Sequence, residues 1–210
     1  MTGSGDSSIE FLRAHPGVMR VPSPKVEMVL KPAFLSAQLC SDLIDLIESD
    51  RRPSTLADFN GDPGFRTSET CDMKPQEPAV KEVERVLHEF TGIDPAYGET
   101  LQGQRYEVGQ EFKAHTDWFT PGGTDWEKFC SVSGQRTWTF MVYLNNVPSG
   151  GTTRFKSIGK KIDPEQGKLI GWNNQNPDGS GNEDTLHHAM KVRKGMKYVI
   201  TKWYREKPWS

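Results

Sequence analysis

The residues best suited to chemistry are His115 and Asp117, one position apart in Lys113-Ala114-His115-Thr116-Asp117. In an extended strand alternate side chains share a face, so this imidazole and this carboxylate would point at one spot. Such a pair also arises without function, as a buried histidine bonded to a nearby carboxylate. A third donor changes its meaning. His187 and His188 stand about seventy residues downstream, and Lys197 follows His187 by ten positions. Adjacent strand residues face opposite ways, so only one of the two histidines can join the pair.

Two histidines and one carboxylate with open coordination positions form the facial triad used by non-haem Fe(II) oxygenases. To assemble it, strands must bring distant segments together. The strand signals fall late in the chain. Gln104–Val108 reads as a strand, Gly109-Gln110 as a turn and Glu111–Asp117 as its hairpin partner. Thr137–Asn145, Thr152–Phe155, Lys168–Trp172, Thr185–Val192 and Met196–Tyr204 follow as strands. Earlier, Val26, Met28 and Leu30 alternate as in a strand. Ser36 can cap a helix running to about Asp50, with Leu39, Leu43, Ile44 and Ile47 on its apolar stripe. A second helix fits between Pro78 and Gly92, with Val83, Val86, Leu87 and Phe90 inward. His88 lies beside that stripe and reads as a surface or packing residue. Helices first, then about eight strands, predict an α+β fold, mainly β: a two-sheet barrel or jelly roll with the N-terminal helices packed on one sheet.

The 210 residues suffice for one sizeable core, and the 20 glycines and 14 prolines suit a turn-rich β domain. A formal net charge of -2 with no basic block points away from nucleic acid as a partner. No apolar run approaches the ~20 residues of a membrane helix, so no membrane partner is expected. The N-terminal residues lack a basic flank and an apolar stretch, so no signal peptide is expected. Cys40, Cys71 and Cys130 form no pair motif, which makes a reducing, cytoplasmic setting the default. Residues 1–25 read as a tail, disordered over its first eight residues, and 26–210 as a single domain. Nothing in the sequence sets an oligomeric state.

Four blocks occur in order: Arg105-Tyr106-x-x-Gly109-Gln110-x-Phe112-x-x-His115-x-Asp117; Tyr143-Leu144-Asn145; Gly150-Gly151-x-Thr153-x-Phe155; and His187-x-Ala189-x-x-Val192-x-x-Gly195-x-Lys197, closing on Thr201-Lys202-Trp203. Together they resemble the prolyl 4-hydroxylase branch of the Fe(II)/2-oxoglutarate-dependent dioxygenases. The resemblance implies a double-stranded β-helix and a dioxygenase domain over 26–210. It implies Fe(II), 2-oxoglutarate and O2 as cofactors and co-substrates, with ascorbate a candidate addition. The family's spacing back from Val192 and Lys197 selects His187 as the distal ligand, so His115, Asp117 and His187 are the expected metal-binding and catalytic set. Met190 and Lys191 replace the family's glycine and proline there.

Lys197 shares strand parity with Val199, Thr201 and Trp203, a set expected to face the barrel interior, where a lysine needs an anion. The resemblance supplies one in the distal carboxylate of 2-oxoglutarate, and places Tyr106, Thr153 and Trp203 around the same co-substrate. Arg136 shares parity with Trp138, Phe140, Val142 and Leu144 and is expected at the barrel mouth as a substrate-binding residue, a structural salt bridge being the alternative. The irregular segments 51–77 and 118–134 read as lids. The expected substrate is a proline-containing peptide or protein. The alternatives are a free amino acid or other small molecule, a non-catalytic barrel binding a peptide partner, or a zinc hydrolase. The last leaves Lys197 unexplained.

Overall fold

The computed structural model describes residues 6–54, 62, 64–123 and 126–209. Two sheets face each other. The major sheet runs β1 (Met19–Arg20), β2 (Met28–Lys31), β11 (Leu169–Asn173), β7 (Arg136–Tyr143), β14 (Lys197–Arg205), β5 (Gln102–Tyr106), β4 (Glu69–Asp72) and β3 (Arg52–Pro53), in that spatial order. The minor sheet runs β10 (Lys160–Ile162), β9 (Thr153–Phe155), β12 (His187–Ala189) and β6 (Phe112–His115). A short ribbon pairs β13 (Val192–Lys194) with β8 (Ser149–Gly150). This is the double-stranded β-helix expected from the sequence.

Alternation along β7 and β14 divides the interior into two layers. Trp138, Phe140, Val142, Leu144, Ile200 and Tyr204 face outward and form one core with the helices. Met141, Tyr143 and Val199 face the other way and pack with Tyr106, Phe155, Ile162, Ile170 and Trp172 between the sheets. The helices are α1 (Ile9–Arg13), α2 (Ala37–Ser49), α3 (Pro78–Thr91) and α4 (Trp126–Cys130). Ser36 caps α2 by accepting from the Leu39 amide at 3.2 Å, and Cys40, Leu43 and Ile47 are its buried residues. α2 lies so close to β5 that a Cβ on Gly103 would stand 2.5 Å from Ile47. α3 begins at Pro78 and ends on Gly92 in the left-handed conformation, φ 69°. His88 Nδ1 lies 2.8 Å from the Ile93 carbonyl and secures that end. The cysteines are free and buried. No helix among the described residues is long and apolar enough to cross a membrane.

Several expectations need correction. The strands on either side of Gly109-Gln110 are not a hairpin. β5 is already flanked by β14 and β4, so no edge remains for β6, which crosses to the minor sheet and pairs with β12. Gly109, at φ 88°, makes the crossing and donates its amide to Val192 O at 2.8 Å. Second, residues 6–25 are not a loose tail. Ser8 caps α1, Ile9, Leu12 and Val21 are buried, and β1 extends the major sheet. Trp138 helps tie the segment down, its indole N–H donating to Asp6 Oδ1 (2.8 Å) and Ser7 O (3.1 Å), and Ser7 Oγ donates to Thr91 O at 2.7 Å. The part of the tail expectation on residues 1–5 falls outside the described residues. Third, the 118–134 loop contains α4, and Thr185–Val192 is broken: β12 ends at Ala189 and the chain joins the ribbon at Val192. Parts of the two candidate lids, at 55–61, 63, 124 and 125, also lie outside the described residues.

Candidate active site

β6 and β12 are antiparallel neighbours, and His115 stands directly opposite His187. Asp117 follows β6 immediately. Donor atoms of these three residues all lie within 4.8 Å of one another, the only such cluster of three among the described residues. His115 Nε2 is 3.7 Å and His187 Nε2 4.0 Å from Asp117 Oδ1. Backbone carbonyls hold the far side of each ring. His115 Nδ1 donates to Lys113 O at 2.7 Å and His187 Nδ1 to Thr185 O at 3.0 Å. That pattern fixes the tautomer and leaves both Nε2 lone pairs aimed at Asp117. The carboxylate is oriented too. Thr139 Oγ1 donates to Asp117 Oδ2 at 2.7 Å and is itself held by Asn174 Nδ2 at 2.9 Å. Oδ1 alone is left facing the imidazoles. Phe112 stacks on His115 at 3.5 Å between centroids, and Trp172 meets His187 edge-on at 4.9 Å.

Burial, and then the neighbouring His187, pushes His115 down to about 3, and burial also lowers His187. Both rings are therefore neutral near pH 7, the form that ligates a metal. Burial raises the Asp117 carboxyl, but His187, His115 and Arg136 around it bring it below the usual carboxylate range. Two neutral imidazole nitrogens and one carboxylate oxygen are a donor set suited to Fe(II).

The triad opens into a cavity lined by Tyr106, Thr153, Trp172, Thr201 and Trp203 among others. Lys197 starts β14 directly across from Tyr106. The residue is 1% exposed, and its amine has no hydrogen-bond partner among the described residues. The rings of Tyr106 and Tyr143 face it, at 5.0 and 5.4 Å. Burial pushes its pKa down to about 7. A buried, unpaired amine is costly, and an anionic ligand would relieve the cost. Gly151 makes room for this side chain, since a Cβ there would come 3.3 Å from Lys197 Cδ. Thr153 is held by the Tyr143 hydroxyl at 2.7 Å.

The structure thus brings together His115, Asp117, His187, Tyr106, Thr153, Lys197 and Trp203. His188 points to the opposite face and bonds Glu111 Oε2 through Nε2 at 2.8 Å. Arg136 is the exception. Trp138, Phe140 and Val142 on β7 pack toward the helices, but Arg136, at the start of the strand, reaches the triad end of the barrel, where Glu99 takes up its guanidinium. Arg136 Nε and Nη2 donate to Glu99 at 2.6 and 2.7 Å, and Nη1 donates to Asp117 O at 3.2 Å. It lies over Trp203 at 4.1 Å. Arg136 holds the Asp117 backbone, and the salt bridge to Glu99, the alternative expected for it, is present. Sequence reasoning missed Arg66, which lines the cavity and is held by Thr70 and Gln102 at 3.1 and 2.9 Å. The alternation Arg66-x-Ser68-x-Thr70 was its available signal. It also missed Thr139 and Asn174, for which the sequence carries none.

Comparison with known proteins gives the same picture. Residues 101–205 match the 2OG-Fe(II) oxygenase superfamily. Probable prolyl 4-hydroxylase 9 of Arabidopsis thaliana is 31% identical over 198 residues, covering 83% of this chain and 67% of the plant protein. The prolyl 4-hydroxylase subunit alpha-1 of Gallus gallus is 31% identical over 144 residues, and there the match spans 68% of this chain but 28% of that subunit. Among solved structures, the viral collagen prolyl hydroxylase of Paramecium Bursaria Chlorella virus-1, in its 2OG complex, superposes with a TM-score of 0.68 at 27% identity, covering 85% of this chain and 95% of that one. With its triad, its buried lysine and these relatives, the chain belongs to the 2OG-Fe(II) oxygenase superfamily, on its prolyl 4-hydroxylase side.

Proposed function

We propose that the protein hydroxylates a prolyl residue in a peptide or protein, with His115, Asp117 and His187 holding Fe(II) and Lys197 anchoring 2-oxoglutarate. The observation that carries this reading is a neutral-imidazole and carboxylate triad in a cavity walled by Tyr106, whose ring lies 5.0 Å from the buried Lys197 amine, which has no hydrogen-bond partner among the described residues. The prolyl part is supported by relatives named as prolyl 4-hydroxylases.

Fe(II), when bound, supplies the redox chemistry that divides O2 between 2-oxoglutarate, which becomes succinate and CO2, and a C–H bond of the substrate. The protein's residues do the rest. Lys113 O and Thr185 O keep both Nε2 atoms unprotonated. Thr139 reserves Oδ2, so Asp117 would offer a bound metal one oxygen, Oδ1. Lys197 pairs with the distal carboxylate, with Tyr106 and Thr153 as hydrogen-bond donors beside it. Trp172, Phe155 and Tyr143 close the inner wall against water.

The test is mass spectrometry of proline-containing peptides after incubation with Fe(II), 2-oxoglutarate, ascorbate and O2. The reading predicts peptides that gain one oxygen as succinate forms. Succinate formed only when a free amino acid is supplied would transfer the activity to small molecules.

A further inference from the structure

We propose that the outer face of the minor sheet, from β10 across β9 to the β13 ribbon, docks an extended acidic polypeptide segment outside the cavity. The β9–β10 hairpin carries Arg154, Lys156 and Lys161, and the β8–β13 ribbon joined to it carries Arg193 and Lys194, all exposed. None of the five has an ion-pair or side-chain hydrogen-bond partner among the described residues. The chain as a whole has a formal net charge of -2, so this positive excess is local.

The arrangement is specific. Lys161 stands directly opposite Arg154 on the neighbouring strand, and Arg154 directly opposite His188 on the next. Like charges facing each other across a ladder are unfavourable. No carboxylate bridges Lys161 and Arg154, whereas His188 and Lys191 beside them share Glu111. An arriving run of carboxylates would remove the repulsion.

Two features select an extended peptide. β10 is the edge strand of its sheet among the described residues, so its backbone can accept a further strand, whose outer-face side chains would sit beside Lys161, with the long Arg154 side chain reaching across from the next strand. Lysines on an edge also deter unwanted pairing, but Arg154 lies one strand further in, where no edge needs guarding. Nucleic acid fits less well, because single strands need aromatic platforms. The large aromatics that stand exposed, Phe11 and Trp209, lie elsewhere, beside Gly92 and Ala96. The patch draws on segments far apart in sequence, so no basic block announces it. The inference does not depend on what enters the cavity.

The test is fluorescence anisotropy of a labelled oligoglutamate peptide at low salt. The wild-type chain is expected to bind it, with affinity falling as salt rises. Arg154→Glu with Lys161→Glu should weaken binding about ten-fold or more, while Lys81→Glu with Lys207→Glu, remote from the face, should change it little. An unchanged thermal midpoint shows that the reversed variant folds, and Arg154→Gln with Lys161→Gln serves if it does not. The proposal is overturned if the peptide is not bound, if both variant pairs bind alike, or if oligothymidylate of equal charge binds more tightly. Sedimentation that shows a dimer lost on reversal would assign the face to a second copy instead.

Discussion

Binding of 2-oxoglutarate should take up a proton, and Lys197 is the group that takes it. In the free protein burial holds this amine at a pKa of about 7, against an ordinary lysine near ~10.4. A carboxylate partner lifts the value again, because the charged form gains a charge-assisted bond. Binding therefore requires an amine that is half charged at pH ~7 and mostly neutral above it. Apparent affinity should fall about ten-fold per pH unit above ~7, or about 90-fold between pH ~6 and pH ~9. At pH ~8 about 0.9 of a proton enters per molecule bound. Titration calorimetry of the Mn(II)-loaded protein, in buffers of different ionisation enthalpy, measures that number directly. Lys197→Met should abolish the uptake and weaken binding by about 1.5–3 kcal/mol. The sign for stability is the reverse of a salt-bridged group. The depressed pKa costs stability most below pH ~7, where the buried amine is charged, and the cost fades as pH rises toward ~10.4. Lys197→Met should flatten that slope in the co-substrate-free protein. No buffer dependence, together with a flat affinity between pH ~6 and ~9, would refute the reasoning.

His187→Ala should abolish metal binding and turnover, whereas His188→Ala, on the outer face, should keep both; equilibrium dialysis with Fe(II) or Mn(II) separates them. Thr139→Val removes the donor that orients Asp117 and should lower metal affinity by about ten-fold or more, read by the same dialysis. Arg136→Met leaves Glu99 with Arg205 alone at 3.2 Å and should cost about 1.5–3 kcal/mol in urea unfolding, because charge-assisted bonds are lost while Glu99 stays paired. Deleting residues 1–8 leaves the Trp138 indole N–H without its partners and should cost about 1–3 kcal/mol in the same assay, with the active-site metal still bound.

The triad was legible because strand parity and the spacing of Val192 and Lys197 are one-dimensional properties. So was the inward face of β14, where Lys197, Val199, Thr201 and Trp203 alternate with residues of the helix side. The same reasoning failed on β7. Its two faces are both apolar, one against the helices and one between the sheets, so hydrophobicity could not say that Arg136 would meet Glu99 at the triad end. The hairpin expectation failed for a related reason: Gly109-Gln110 is good turn chemistry, but sheet membership depends on which edges are already filled. Thr139, Asn174 and Arg66 reach the site through tertiary contacts, and no local pattern marks a threonine as the partner of a carboxylate twenty-two residues away. The N-terminal segment looked like a tail because what docks it, the α3 and β2 neighbours of Ile9, Leu12 and β1 and the Trp138 indole, lies far away in the chain.

The most direct test of the central claim is a turnover experiment under isotopically heavy oxygen gas with a proline-containing peptide, Fe(II) and 2-oxoglutarate. Wild-type protein should place one heavy atom in a hydroxyproline and the other in succinate, in equal amounts, and Asp117→Ala should do neither. Succinate without labelled hydroxyproline in any peptide, or equal labelling by Asp117→Ala, would contradict the account.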